Sequence, residues 1–211
     1  MAITKSAGFG IVTVMNVKVY AGPTAEVLAT WNTKLPSAIY SEIVGTTESA
    51  TTPLCTLDHL QTSNLTADGP DMTIQGGQHK NPLIKYGKTC RCEITDALGQ
   101  KDALMAIGGA QEDDGHNISI TDHFPGPLTI VGDIFVIDQK TGDKVPAKII
   151  MYQFLPDAIP SLAFDMNNAA TFDLNGDLLS TDIMLNAATT EPAVNAVVGS
   201  AFYSILDVWS D

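Results

Sequence analysis

Two long runs of β-branched and aromatic residues face each other across a short polar turn, and this pairing constrains the chain more than any other feature. Leu128 to Asp138 reads LTIVGDIFVID, Val145 to Phe154 reads VPAKIIMYQF, and Gln139-Lys-Thr-Gly-Asp143 lies between them. Arms of this composition with a Gly in the connection specify an antiparallel hairpin. Pro146 is tolerated because it stands at the beginning of the return arm.

Other segments extend the same pattern. Ile11 to Tyr20 (IVTVMNVKVY) is a strand closed by Ala21-Gly-Pro23, and Met72 to Gln75, Leu83 to Ile94 and Ala201 to Trp209 also read as strands. Phe164 to Asp173 and Leu178 to Leu185 flank Leu174-Asn-Gly-Asp177, where Asn-Gly would supply the positive φ angles of a tight turn. Lys101 to Ile107 reads as a helix, with Asp102 in its first turn and Gly108-Gly109 stopping it, and Ala25 to Thr33 fits a short helix. From Gly45 through Asp71 the composition shifts to Thr, Ser, Pro, Asn and Asp, which reads as a long polar loop or extended hairpin at about 45–71. Seven or eight strands with one flanking α-helix give a mainly β fold, a β-sandwich or partly closed barrel. The 211 residues fit one domain spanning 1–211, large enough to form a core without a metal or disulfide staple, and no cofactor is expected.

Charge narrows the partners. With Lys+Arg 11 against Asp+Glu 24, the net charge of −13 repels phosphate backbones and disfavours tight nucleic-acid binding. Lys148 is the last basic side chain; beyond it stand Asp157, Asp165, Asp173, Asp177, Asp182, Glu191, Asp207 and Asp211. Lys80, Lys85, Lys88, Arg91 and Lys101 form a basic cluster, and opposite patches of this kind can pair head to tail between copies. No apolar run approaches the ~20 residues of a membrane helix, so no membrane span is expected. Residues 1–10 show no secretory signal, which predicts synthesis in the cytoplasm.

Chemistry is sparse. Cys90 and Cys92 alternate along a strand and point to one face, but no second ligand pair accompanies them, so packed small hydrophobes are expected rather than a metal site. Asp58-His59 and Asp122-His123 are the candidates for a base and its carboxylate in a hydrolytic or metal-dependent enzyme, yet adjacent strand residues point to opposite faces. Asp173 to Asp177 resembles the opening of a calcium loop but has Leu178 and Met184 where the Gly and the bidentate Glu belong. The expectation is a protein that is not an enzyme and has no catalytic, cofactor or metal residues.

The segments LTIVGDIFVIDQKTGDKVPAKIIMYQF, FDMNNAATFDLNGDLLSTDIML and FYSILDVW are similar in order and spacing to the second half of bacteriophage major tail (tail tube) proteins. Asp138, Thr141, Gly142, Val145 and Pro146 match the first turn of that pattern, and Gly176 and Asp177 match the second. Leu178-Leu-Ser-Thr181 departs from the Pro-Thr-Thr-Phe of many relatives, and NPLIKYGKTCRCEITDALGQKDALMAIGG resembles their strand leading into a helix. The resemblance covers residues 70–211. It implies a structural virion protein, made and assembled in the host cytoplasm and located in the tail, that forms stacked homohexameric rings. Double-stranded DNA would pass through the rings without specific binding, and the partners would be a tape measure protein and tail terminator or baseplate proteins. The polar residues Thr46, Thr47, Glu48 and Ser49, with little to bury in a monomer core, are then the candidates for contacts between rings. A capsid decoration or tail adaptor protein is the alternative with the same profile.

Overall fold

The computed structural model describes residues 3–4, 9–45, 51–57, 60–68, 71–73, 83–85, 88–96, 101–107, 110–113, 117–120, 126–138, 141–157, 172–187, 189–190, 193–206 and 209–210. The main elements are β1 (Phe9–Ala21), α1 (Ala25–Trp31), α2 (Pro36–Val44), β2 (Cys55–Leu57), β3 (Leu60–Asp68) and β4 (Thr89–Asp96). They are followed by α3 (Lys101–Ile107), β5 (Leu128–Asp138), β6 (Lys144–Pro156), β7 (Phe172–Leu178), β8 (Thr181–Asn186), β9 (Val197–Ala201) and β10 (Tyr203–Leu206). The expected hairpin is present: β5 and β6 pair antiparallel from Leu128↔Phe154 to Ile137↔Lys144, and Gly142 takes φ 75° in the turn. There its N–H donates to the Asp138 carbonyl at 2.7 Å.

The principal sheet runs β2-β1-β5-β6-β7-β4-β3, with β10 also paired to β6. The fold is mainly β and antiparallel and does not close into a barrel, as in a β-sandwich. One irregularity makes two layers from one path. Ile130 pairs with Met151 but Leu128 pairs with Phe154, so β6 carries an extra residue between them. Such a bulge bends a strand and lets it pass from one sheet to the next. Up to Met151, β6 pairs with β10; from Phe154 onward it pairs with β7.

Alternation along the strands then sorts the side chains onto two faces. Val17, Ile130, Ile134, Ile149 and Met151 point to the inner core, where they meet Cys92, Ile94 and Leu174 of the second layer and Ile107 of α3. Tyr20, Val131, Ile150 and Tyr152 point the other way and are covered by Trp31 of α1, Ile39 of α2 and Ile183 of β8. Trp31 and Tyr152 pack with ring centroids 5.8 Å apart.

Several sequence expectations need correction. Three helices, not one flanking helix, are present among the described residues. The segment Ala25–Trp31 and the helix Lys101–Ile107 were legible, whereas α2 was not anticipated, although Pro36 at its first turn and Gly45 at its end (φ 81°) are ordinary start and stop signals. The stretch 45–71 is not simply a loop: it contains β2 and β3, and Cys55 and Leu57 of β2 are buried where it pairs with Val17–Val19 in the C-terminal part of β1. Leu83 to Ile94 is broken into Leu83–Lys85 and β4. Asn175-Gly176 is not a turn but the middle of β7, paired with Glu93 and Cys92. The physical reason is a close crossing, because a Cβ on Gly176 would stand 2.3 Å from the Leu155 carbonyl oxygen and 2.6 Å from the Phe154 ring.

Candidate assembly surface

β8 and β9 form a two-stranded ribbon separate from the principal sheet, from Thr181↔Ala201 to Asn186↔Val197. One side of this ribbon is tied down, since the Met184 N–H donates to the Lys34 carbonyl at 3.1 Å in the α1–α2 connection. Asp182 accepts a hydrogen bond from Ser200 across the ribbon. On the other side no strand pairs with β9 among the described residues.

The three most exposed large apolar residues among those described lie on this ribbon, while Met15, Leu54, Leu155, Leu179 and Tyr203 are exposed elsewhere. Leu185 is 52% exposed, Val197 46% and Val198 52%. Neighbouring strand residues point to opposite faces, so Val197 and Val198 leave β9 apolar and open on both. Gly199 permits Leu185 to lie against it, a Cβ there falling 2.7 Å from Leu185 Cδ1. An unpaired apolar strand edge is a template for association. A second edge lies at the far end of the principal sheet, where β3 reads LQTSNLTAD over nine residues, with no Pro or Lys to protect it and one irregularity near Leu60.

The ribbon carries one charged side chain, Asp182, and the basic cluster seen in the sequence is partly engaged elsewhere. Arg91, the single arginine in the chain, is held by Asp157, lies 3.4 Å from Glu93 and 3.6 Å from Asp177, and ties β4 to the end of β6 and to β7. These carboxylates, Asp157 foremost through its hydrogen bond, raise the Arg91 pKa. Lys148 stands 4.7 Å above the Tyr40 ring. Lys80 lies outside the described residues.

The other sequence candidates divide between buried and undescribed positions. Cys90 and Cys92 point into the inner core at 1% exposure each, as packed small hydrophobes do. Burial, with smaller contributions from the charges on Cys90 and Glu93, pushes the Cys92 thiol up to about 12; burial and then Asp177 raise that of Cys90. Neither thiol is poised to become a nucleophile or a metal ligand. Asp58, His59, Asp122 and His123 lie outside the described residues, as do Thr46, Thr47, Glu48 and Ser49. No helix among the described residues is long and apolar enough to cross a membrane. The β8–β9 ribbon itself was missed as a surface feature, because the run Val197-Val198-Gly-Ser-Ala201 reads as an ordinary strand and nothing in it shows that β9 has a single strand neighbour among the described residues. Comparison with protein-family models finds no match to this chain, and comparison with curated proteins finds none either.

Proposed function

We propose that the chain is a self-assembling structural subunit of a bacteriophage tail tube, forming stacked hexameric rings around a passage for DNA. The observation that carries this reading is the β8–β9 ribbon, in which β9 has an edge that no strand among the described residues pairs and apolar side chains exposed on both faces. A strand of this kind gains by joining another copy, and a surface that meets a different surface on its neighbour generates rings or filaments. The likeness of residues 70–211 to tail tube proteins supplies the hexamer, the stacking and the tape measure, terminator or baseplate partners. The charge of −13 suits a conduit from which DNA must slide without being gripped.

The test is assembly of the purified protein. Light scattering and negative-stain microscopy over rising concentration are expected to show rings and then tubes. A protein that remains monomeric at high concentration, with no rings or tubes in the micrographs, would overturn the reading. Binding of monomers to preformed capsids would instead assign the chain to the decoration class.

A further inference from the structure

Asn175-Gly176 is the single Asn-Gly pair in the chain. Because glycine carries no side chain beside its amide nitrogen, this is the dipeptide at which a main-chain nitrogen most readily attacks the neighbouring asparagine. The chemistry needs only water. Gly176 N bonds to Asn175 Cγ and ammonia leaves, closing a succinimide ring; water then adds to one of the two ring carbonyls and the nitrogen departs from it with a proton. Breaking the new N–Cγ bond gives aspartate on the original main chain. Breaking the old peptide bond gives isoaspartate, whose main chain runs through the side chain and is one carbon longer.

Ring closure requires rotation about the Asn175 Cα–C bond until Gly176 N comes into line with Cβ, and an extended strand turns that nitrogen away. Here the strand is held on both edges. Asn175 pairs with Glu93 and Gly176 with Cys92 of β4, Gly176 also pairs with Pro156 of β6, and the Asn175 carbonyl accepts the Asp157 N–H at 2.9 Å. The Asn175 side chain is exposed, so water is at hand and the held backbone is the barrier. The close crossing then decides the fate of the product. A Cβ on Gly176 would already stand 2.3 Å from the Leu155 carbonyl oxygen, and a lengthened main chain at this point moves Gly176, Asp177 and Leu178 out of register with both β4 and β6. We infer that Asn175-Gly176 is a deamidation site closed by the fold: it reacts only in chains that have opened, and the isoaspartate form cannot return to the native ladder. An opening that lasts long enough for the ring to close thereby becomes irreversible.

The experiment ages dilute protein in native buffer and in guanidinium chloride above its unfolding midpoint, at one pH and temperature. Digests are followed by mass spectrometry, with isoaspartate separated from aspartate by chromatography. The opened chain is expected to convert at the rate of a synthetic peptide spanning residues 170–180, and the folded chain at least about a hundredfold more slowly, since its rate is scaled by the fraction of molecules that are open. Equal rates in the folded and opened protein would overturn the shielding. After dilution from denaturant, unmodified and aspartate chains are expected to refold, while isoaspartate chains stay in the fraction that a protease digests. Asn175→Asp places the charge of the product opposite Glu93 on an unaltered main chain, and it is expected to fold with a lower denaturant midpoint. Asn175→Gln, whose longer side chain closes the ring far more slowly, is expected to keep its refolding after the same ageing. Isoaspartate chains recovered in the native fraction would overturn the register argument, and so would an Asn175→Asp variant that fails to fold, because charge alone would then account for the loss. Refolding lost equally in aged Asn175→Gln would place the damage at another residue and overturn the assignment to this site.

Discussion

Gly176→Ala is expected to destabilise the monomer by about 3 kcal/mol, the cost of forcing atoms into a packed crossing with no room for them. The added methyl would meet the Leu155 carbonyl oxygen at 2.3 Å and the Phe154 ring at 2.6 Å, and the oxygen belongs to backbone that is paired in register, Leu155 with Asp177 and Pro156 with Gly176. Moving it means shifting the point at which β6 leaves one layer and enters the other. Gly126→Ala is the control, since a Cβ there meets nothing within 4 Å. Urea unfolding of dilute protein measures both. Gly176→Asn separates the two accounts of this position: a turn residue with positive φ tolerates Asn, whereas a close crossing rejects it more strongly than Ala. Stability unchanged in Gly176→Asn would restore the turn and discard the crossing.

The same glycine shows how far the sequence could be read. Asn-Gly between apolar residues is a strong turn signal by local chemistry, but the local signal has no knowledge of the Phe154 ring, which comes from a strand more than twenty residues earlier. Local and tertiary demands select the same residue, so glycine alone does not distinguish them. Where both agree, the reading held: the β5–β6 hairpin and α3 are set by periodicity, turn composition and stop signals within a few residues of themselves. α2 was missed because Ile39, Ile43 and Val44 are β-branched and Ser37 and Ser41 are neutral at best in helices; packing of Ile39 against the outer core decides the outcome. β3 was hidden for a related reason. Its Gln, Thr, Ser and Asn residues read as loop, yet its backbone completes the ladder that β4 begins. The open edge of β9 was the least legible, because exposure of Val197 and Val198 depends on β9 having no second neighbour among the described residues, which no property of those two valines announces.

Raising the pH from 9 to 12 is expected to unfold the protein progressively, with two buried acids responsible for most of the effect. Burial pushes Cys92 from its ordinary 9.0 up to about 12 and Tyr152 from 10.0 up to about 12, the latter despite the hydrogen bond it donates to Ser204 at 2.6 Å, which acts in the opposite direction. Both side chains are at most 1% exposed, so solvent does little to screen the penalty. Below pH 9 the folded and unfolded chains hold both protons and the full stability is present. Between 9 and 10 the unfolded chain releases the Cys92 proton while the folded chain keeps it, so stability falls by about 1.4 kcal/mol per pH unit. Above 10 Tyr152 joins in and the slope doubles, until both groups ionise in the folded state near 12. The accumulated loss is about 7 kcal/mol, comparable with the whole stability of a domain of ordinary size. Cys90 and Tyr20, also raised by burial, add in the same direction. Urea midpoints of dilute protein from pH 8 to 11.5 are expected to bend downward at 9 and again at 10; Cys92→Ala should make the first bend shallower, leaving the part that Cys90 contributes, and Tyr152→Phe should do the same to the second, leaving the part of Tyr20. A flat profile across that range would mean that neither group is buried as described, Cys92 in the inner core and Tyr152 in the outer one, and the packing of Trp31 on Tyr152 would have to be redrawn.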